Sequence, residues 1–529
     1  MLFICETTRK TDIVPSTIRP CSRADRFLNA VERLGNRLPD PVAIFVIMIG
    51  MLVAVSVLGA WLGWSSAHPV TGETLAVKSL LSEELVRQFL SEMPRTYTGF
   101  APLGLVLVLI LGAGVADHGG LFSALLRWAM RRVPDGVLIP VTILLGMLAT
   151  HASDAGVLIY VPLAGLLFAN TGRHPVLGMI LAYVGAATGL VGNIIPGLFD
   201  VNIFGITETG AQMLVPTWKM NPLGNWWFQL AIAFSNIGLG WFIGAKFVEP
   251  RLPAWQGHGL GEDAACGQLS AGERRGLRRA GLVLLLLVGA TVGLMAWPGY
   301  APLYDYSAEA GQQLRPFFGS LVALLFMLFL LTGWAYGHAV GTISSFSDIV
   351  AMMAKGLAPL LPYLVLIFFA SHFVVMFGWS NLGPIAAING AAQLREIGAQ
   401  PVLLLPILLT ASALLDFLIA SAMAKWTALA PVVVPMLMML GISPEMTTAA
   451  YRVGDTLTNL ISPLNSGFVL LLIFCQRWIP EMRLGTLLAA NLPFAIAFYI
   501  AGLVITAGWV ALELPLGPGT GVPYALPAR

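Results

Sequence analysis

Charge is what this 529-residue sequence has least of. Asp, Glu, Lys and Arg together make up 11% of it, where soluble domains carry about a quarter. So little polar surface excludes an ordinary soluble globule, and a mean hydropathy of +0.81 agrees. A formal net charge of +2 excludes bulk electrostatic attraction to nucleic acid. Cysteine is scarce too: Cys5, Cys21, Cys266 and Cys475 show no ligand-like spacing, so neither a disulfide framework nor a zinc site is expected. Walker loop, HExxH and GxSxG patterns are missing, which removes the familiar machinery of ATP-driven pumping and of hydrolysis. The first 40 residues lack an apolar core, so no cleavable signal peptide is expected.

What is present is hydrophobic length. Hydrophobic residues make up 57% of the chain, and several runs exceed the roughly 18 apolar residues that mark a spanning helix. The fold expected is an all-α polytopic membrane protein. Residues 1–42 form a polar, basic N-terminal segment, 43–510 the transmembrane domain, and 511–529 a Pro/Gly-rich tail. Unbroken spans are expected near 43–64, 100–118, 222–245, 280–298, 316–336, 357–378 and 485–508. Amphipathic helices are expected after Gly120 and over 343–356.

Four segments depart from this pattern. Segments 137–170 and 401–440 each hold two apolar halves around a polar centre, "HASDAG" and "DFLIASAMAKW". Halves of about 15 residues fall short of the ~20 needed to cross a bilayer, so both read as re-entrant hairpins. Segments 174–210 and 444–475 are interrupted by "GNIIPGLFD" and "DTLTNLISPLNSG", where Gly and Pro unwind a helix. The count is nine transmembrane helices plus two hairpins. With the N-terminus inside, inner segments hold 20 of the 29 Lys and Arg residues and outer segments 7, as the positive-inside rule requires.

The irregular regions match in order. Pro162 and Pro431 lie 269 residues apart, as do Pro175 and Pro444, while the Asn193 and Asn459 surroundings lie 266 apart. Repeats over about 100–210 and 357–475 are separated by three crossings, so they should be inverted in the membrane. Inverted repeats whose broken helices meet near the midplane are the architecture of secondary transporters, elevator-like ones included.

Charges at membrane depth cost at least about 2.5 kcal/mol each and need a partner or a task. Asp416, Lys425, Arg452 and Asp455 lie in the second repeat, Asp154 and Asp200 at corresponding places in the first. Arg452 and Asp455, three apart on one helix, either neutralise each other or leave Arg452 to grip a substrate carboxylate. Asp416 and Lys425 flank one tip and either pair or serve separately. Asp416 or Asp455 is then the natural proton carrier. Asp154 reads as a cation ligand or a helix cap. Asn193 and Asn459 either satisfy freed backbone groups or bind substrate, and Ser421 is a weaker version of that case. Trp426 either stacks on an aromatic ligand or packs.

The stretch "ASAMAKWTALAPVVVPMLMMLGISPEMTTAAYRVGDTLTNLISPL" (420–464) resembles the second repeat of the p-aminobenzoyl-glutamate transporter (AbgT) family. So do "FAPLGLVLVLILGAGVADHGGL" (100–121) and "GRHPVLGMILAYVGAATGLVGN" (172–193), and the likeness spans roughly residues 25–510. The resemblance implies a homodimer of nine-helix, two-hairpin protomers. It implies proton- or sodium-coupled import or efflux, across a bacterial inner membrane, of p-aminobenzoyl-glutamate or related antimetabolites such as sulfonamides. Ser421, Lys425 and Trp426 match the hairpin motif, Arg452, Asp455, Asn459 and Pro463 the broken-helix motif, and Asn193 its partner in the first half. These positions would bind substrate, with Asp416, Asp455, Asp154 and Asp200 handling the ion and any sodium lying near Asn193 and Asn459. Two departures stand out: Val191-Gly192-Asn193 replaces a Ser-Ala-Asn-like break, and Asp416 replaces the usual Asn. No cofactor is expected. The alternatives are a sodium–dicarboxylate symporter of related fold, a channel, and, further off, an intramembrane enzyme, for which no nucleophile–base pair is visible.

Overall fold

A computed structural model describes residues 41–67, 72–130, 133–253, 255, 269–297, 299–308, 313–416, 419, 421–462 and 465–525. Among these residues the fold is almost wholly helical, and eight helices are long and apolar enough to cross a membrane. Seven coincide with the unbroken spans expected from the sequence; the eighth, Ala422–Met439, is one arm of the second hairpin.

Helix α1 (Pro41–Trp61) leads into a two-stranded antiparallel hairpin, β1 (Ser65–Ala67) and β2 (Thr74–Ala76), with Ser66 opposite Leu75. Next comes amphipathic α2 (Glu83–Thr98), capped by Ser82, followed by α3 (Ala101–His118) and α4 (Leu121–Met130). The spans α9 (Trp226–Ile243), α10 (Ala271–Ala296) and α11 (Leu321–Val340) follow the first irregular unit, then α12 (Phe346–Leu357) and α13 (Leu361–Trp379). On α10, Leu282, Leu285, Leu286, Val288 and Val292 are exposed, as a lipid-facing helix requires. At its polar end, Arg127 of α4 reaches Glu273 at 2.5 Å. The β1–β2 hairpin, α2 and α14 (Leu382–Glu396) are not expected from the sequence; α14 leaves α13 through Asn381 at φ 59°. Asn tolerates that left-handed corner, so the chain turns back without glycine.

The first irregular unit is a hairpin of α5 (Leu138–Ala149) and α6 (Ser153–Asn170), then α7 (Pro175–Thr188), a non-helical break, and α8 (Leu198–Gln212). The second repeats this order: α15 (Pro401–Asp416), α16 (Ala422–Met439), α17 (Pro444–Thr458), a break, and α18 (Ser466–Gln476). At 12 residues α5 is about 18 Å long, too short to span a ~30 Å core. One apolar core joins both units, running through Ile143, Tyr160, Ile180, Leu409, Ala450 and Phe468 to Phe498 of the last helix, α19 (Leu484–Ala511).

Both hairpins grip their broken helices through a glycine. A Cβ on Gly185 of α7 would lie 2.1 Å from Ile143 O, and one on Gly454 of α17 would lie 2.0 Å from Leu409 O. These glycines are also 269 residues apart, extending the register of the proline landmarks. Gly454→Val is therefore expected to destabilise the protein by about 1–3 kcal/mol through overpacking. It would be read as a lower melting temperature in detergent; Gly104→Ala, where a Cβ meets nothing within 4 Å, serves as the unchanged control. A wild-type melting temperature for Gly454→Val would mean that α15 and α17 are not tightly apposed.

The segment after α19 is a strap. Leu516 and Val522 are buried. Asn221 Nδ2 donates to Pro518 O at 2.7 Å, Ser443 Oγ to Gly521 O at 2.6 Å, and Tyr524 N to Gly441 O at 2.8 Å. It ties the start of α9 to the α16–α17 turn, where Gly441 adopts φ 84°.

Candidate substrate and ion-coupling site

The charged side chains of the two units converge where the second hairpin meets both broken helices. Asp416 ends α15 and Lys425 lies in the first turn of α16, capped by Ser421, whose hydroxyl accepts from Ala424 N. Lys425 Nζ contacts Asp416 Oδ1 and lies 2.6 Å from Asp455 Oδ1 of α17. Thr458 Oγ1 donates to Asp416 Oδ2 at 2.7 Å, and Tyr451 lies within hydrogen-bonding reach of Asp455 at 3.2 Å. All three charged groups are at least 98% buried.

Arg452 faces the first unit. Its Nη2 is 2.7 Å from Asp200 Oδ1 and also donates to Leu190 O, and its guanidinium lies over the Phe199 ring at 5.3 Å. Asp200 in turn accepts from Gln229 Nε2 at 2.8 Å and from Gly197 N at 2.6 Å, which caps α8. The pairing of Arg452 with Asp455 as helix neighbours is thus corrected. Lys425, delivered by the hairpin, takes Asp455, and Asp200, delivered by the first break, takes Arg452. The Asp416–Lys425 pair across the tip forms.

Three carboxylates meet two cationic side chains here, so with every group ionised the buried cluster is one negative charge over balance. It also holds unused hydrogen-bonding capacity. Arg452 Nε and Nη1, Asp455 Oδ2, Thr456 Oγ1, Ser462 Oγ and Gln229 Oε1 are buried without a partner among the described residues. Buried polar atoms are almost always satisfied in folded proteins, so this group of exceptions beside the two helix breaks calls for an explanation.

Other sequence-selected residues have local tasks. Asn193 Nδ2 donates to Met147 O at 2.9 Å and Gly189 O at 3.2 Å, and its Oδ1 accepts from Ile194 N. Asn459 Nδ2 donates to Asp455 O and its Oδ1 accepts from Asn465 Nδ2, while its backbone carbonyl accepts from Tyr183 OH at 2.8 Å, linking the two units. The Trp426 indole donates to Thr207 Oγ1 at 2.9 Å, and its ring stacks on Tyr451 at 4.2 Å. Asp154 falls in the first turn of α6, but its side chain, like Pro463, lies outside the described residues. Gln229, Thr458 and Tyr451 were not selected from sequence, because neutral polar residues on apolar helices carry no local signal of a charged neighbour.

This arrangement has close relatives. The model of the AbgT putative transporter family matches residues 26–524. The chain belongs to that family. The p-aminobenzoyl-glutamate transport protein of Escherichia coli (strain K12) is 32% identical over 504 residues, 95% of this chain and 98% of the relative. Among solved structures, the Alcanivorax borkumensis YdaH transporter, described as having an unusual topology, superposes with a TM-score of 0.84 at 35% identity. That match covers 91% of this chain and all of YdaH. Neisseria gonorrhoeae MtrF, described within a class of antimetabolite efflux pumps, gives 0.87 at 34% identity over 94% of this chain and all of MtrF. This AbgT-family chain is a multi-pass membrane transporter rather than an enzyme.

Proposed function

We propose that this protein is an ion-coupled secondary transporter of aromatic amino-carboxylates of the p-aminobenzoyl-glutamate type, or of sulfonamide-like antimetabolites, in a bacterial inner membrane. The observation that carries the reading is the buried cluster itself. An unbalanced carboxylate calls for a proton or a sodium ion, and the spare Arg452 donors suit an anionic group on the substrate. Both lie where two breaks expose backbone, the place at which an inverted-repeat transporter holds ion and substrate together. Seven unbroken spans with two broken helices give nine crossings, an internal N-terminus fits the basic inner segments, and the family relationship favours a homodimer.

The test is flux of labelled p-aminobenzoyl-glutamate in proteoliposomes under a Na⁺ gradient and a pH gradient, imposed separately. Wild type should respond to one of them. Asp416→Asn removes the surplus charge and should abolish that response while leaving a folded protein. Absence of flux under either gradient would defeat the substrate assignment, and an unaltered response in Asp416→Asn would defeat the role of the charge.

A further inference from the structure

Alongside the charged cluster lies a cavity of about 1000 Å³ that none of the cluster's charged residues lines; its wall runs along α8 from Val201, next to Asp200, to Glu208. Glu208 of α8 is eight residues beyond Asp200, and Glu445 of α17 is seven before Arg452, each about 10–12 Å along its helix. Both line the cavity, together with Phe204, Trp218, Lys219 and the strap residue Tyr524. Between Glu208 and Glu445 and the charged residues of the cluster stands a packed partition. Thr207 Oγ1 and Thr448 Oγ1 hydrogen-bond at 2.8 Å across α8 and α17, Trp426 donates to Thr207, and Trp426 and Tyr451 are stacked and fully buried.

Glu445 is 4% exposed and faces this space, and no ion pair reaches it among the described residues. Glu208, by contrast, is held by Lys219 Nζ at 3.0 Å, Met220 N at 2.9 Å and Gln212 Nε2 at 3.1 Å. A buried carboxylate facing an aromatic-walled chamber suits an N–H-bearing aromatic ring. The Lys219 ammonium, 69% exposed beside the same chamber, suits a carboxylate on the same molecule.

We infer that this chamber is a second ligand site, outside the partition, which takes the arylamine end of an amino-aromatic carboxylate on Glu445 and its anionic end on Lys219. The inference rests on the transport reading for its ligand class but not for its geometry. Strap residues 518–521, 523 and 524 form one wall, so chamber and α16–α17 turn are held by the same segment.

The test uses the full-length protein in nanodiscs and the emission difference between wild type and Trp218→Phe, titrated with 4-aminobenzamide and with benzamide. Neither probe carries a carboxylate, so the central Arg452 donors are not engaged through one. Wild type should bind 4-aminobenzamide about tenfold more tightly than benzamide, the worth of one hydrogen bond to a charged group. Glu445→Gln should bring the two affinities together. Gly104→Phe, at a wall position where a Cβ meets nothing within 4 Å, should weaken both probes with an unchanged melting temperature. Retention of the preference in Glu445→Gln, or unweakened binding in Gly104→Phe, overturns the chamber. Glu445-dependent probe binding without p-aminobenzoyl-glutamate flux leaves the chamber standing and removes the transport reading. Flux without Glu445-dependent binding does the reverse.

Discussion

Arg452→Lys should reduce kcat/KM for p-aminobenzoyl-glutamate in proteoliposomes by about 100-fold while the melting temperature stays near that of wild type. Lysine keeps the positive charge that Asp200 requires, so the buried ion pair at 2.7 Å survives in kind. What it cannot supply is the rest of the guanidinium. Nη2 is occupied by Asp200 and Leu190 O, but Nε and Nη1 have no partner among the described residues. Arginine and lysine are not interchangeable where several donors in a fixed plane are in use. Loss of charge-assisted hydrogen bonds worth about 1.5–3 kcal/mol each gives the expected factor. Near-wild-type flux would show that Arg452 is only the counter-ion of Asp200.

The second large effect is on stability. Lys425→Ala should lower it by about 3–5 kcal/mol, because Asp416 and Asp455 would be left facing each other, buried, with no ammonium between them. Reduced yield and a lower melting temperature in detergent would report it. Adding Asp416→Asn to Lys425→Ala should recover part of the loss, since one of the two stranded charges is then gone. That partial rescue separates an electrostatic cause from lost packing of the lysine stem. If Lys425→Ala melts with wild type, the three groups do not form an ion-paired unit in the folded protein.

The two variants probe different halves of one device. Lys425 sits on the hairpin and holds both carboxylates of the second unit, whereas Arg452 reaches out of that unit to Asp200 in the first. A cation that neutralises the surplus charge alters the balance within the second unit, and an anion that draws on Arg452 competes with Asp200 across the interface between units. Under the proposed function, ion and substrate would act on connected side chains, the condition for stoichiometric coupling that an open channel lacks.

Much of this was legible in the chain. Membrane class, both hairpins and both breaks follow from local quantities: the length of an apolar run, and glycine or proline inside it. The halves of 137–170 and 401–440 fold as the helix pairs α5–α6 and α15–α16, although α16, at 18 residues, is longer than the sequence halves suggested and long enough to cross a membrane. The sequence also flagged Asp200, Asp416, Lys425, Arg452 and Asp455, because a charge in an apolar setting is conspicuous by itself. It could not reveal α14, whose mixed composition in 382–396 lacks a periodic signal, nor the chamber beside Glu445 in the first turn of α17.

Partner choice belonged to the tertiary structure alone. Along the chain Arg452 and Asp455 are nearest neighbours of opposite sign, and helix geometry permits their pairing. In the folded protein the close Gly454–Leu409 contact sets α15 against α17, bringing Asp416 and Lys425 onto Asp455, and the first break delivers Asp200 to Arg452. Spacing determines where a charge lies along a helix; only the packing of distant helices, set by small residues at their crossings, determines which charge it meets.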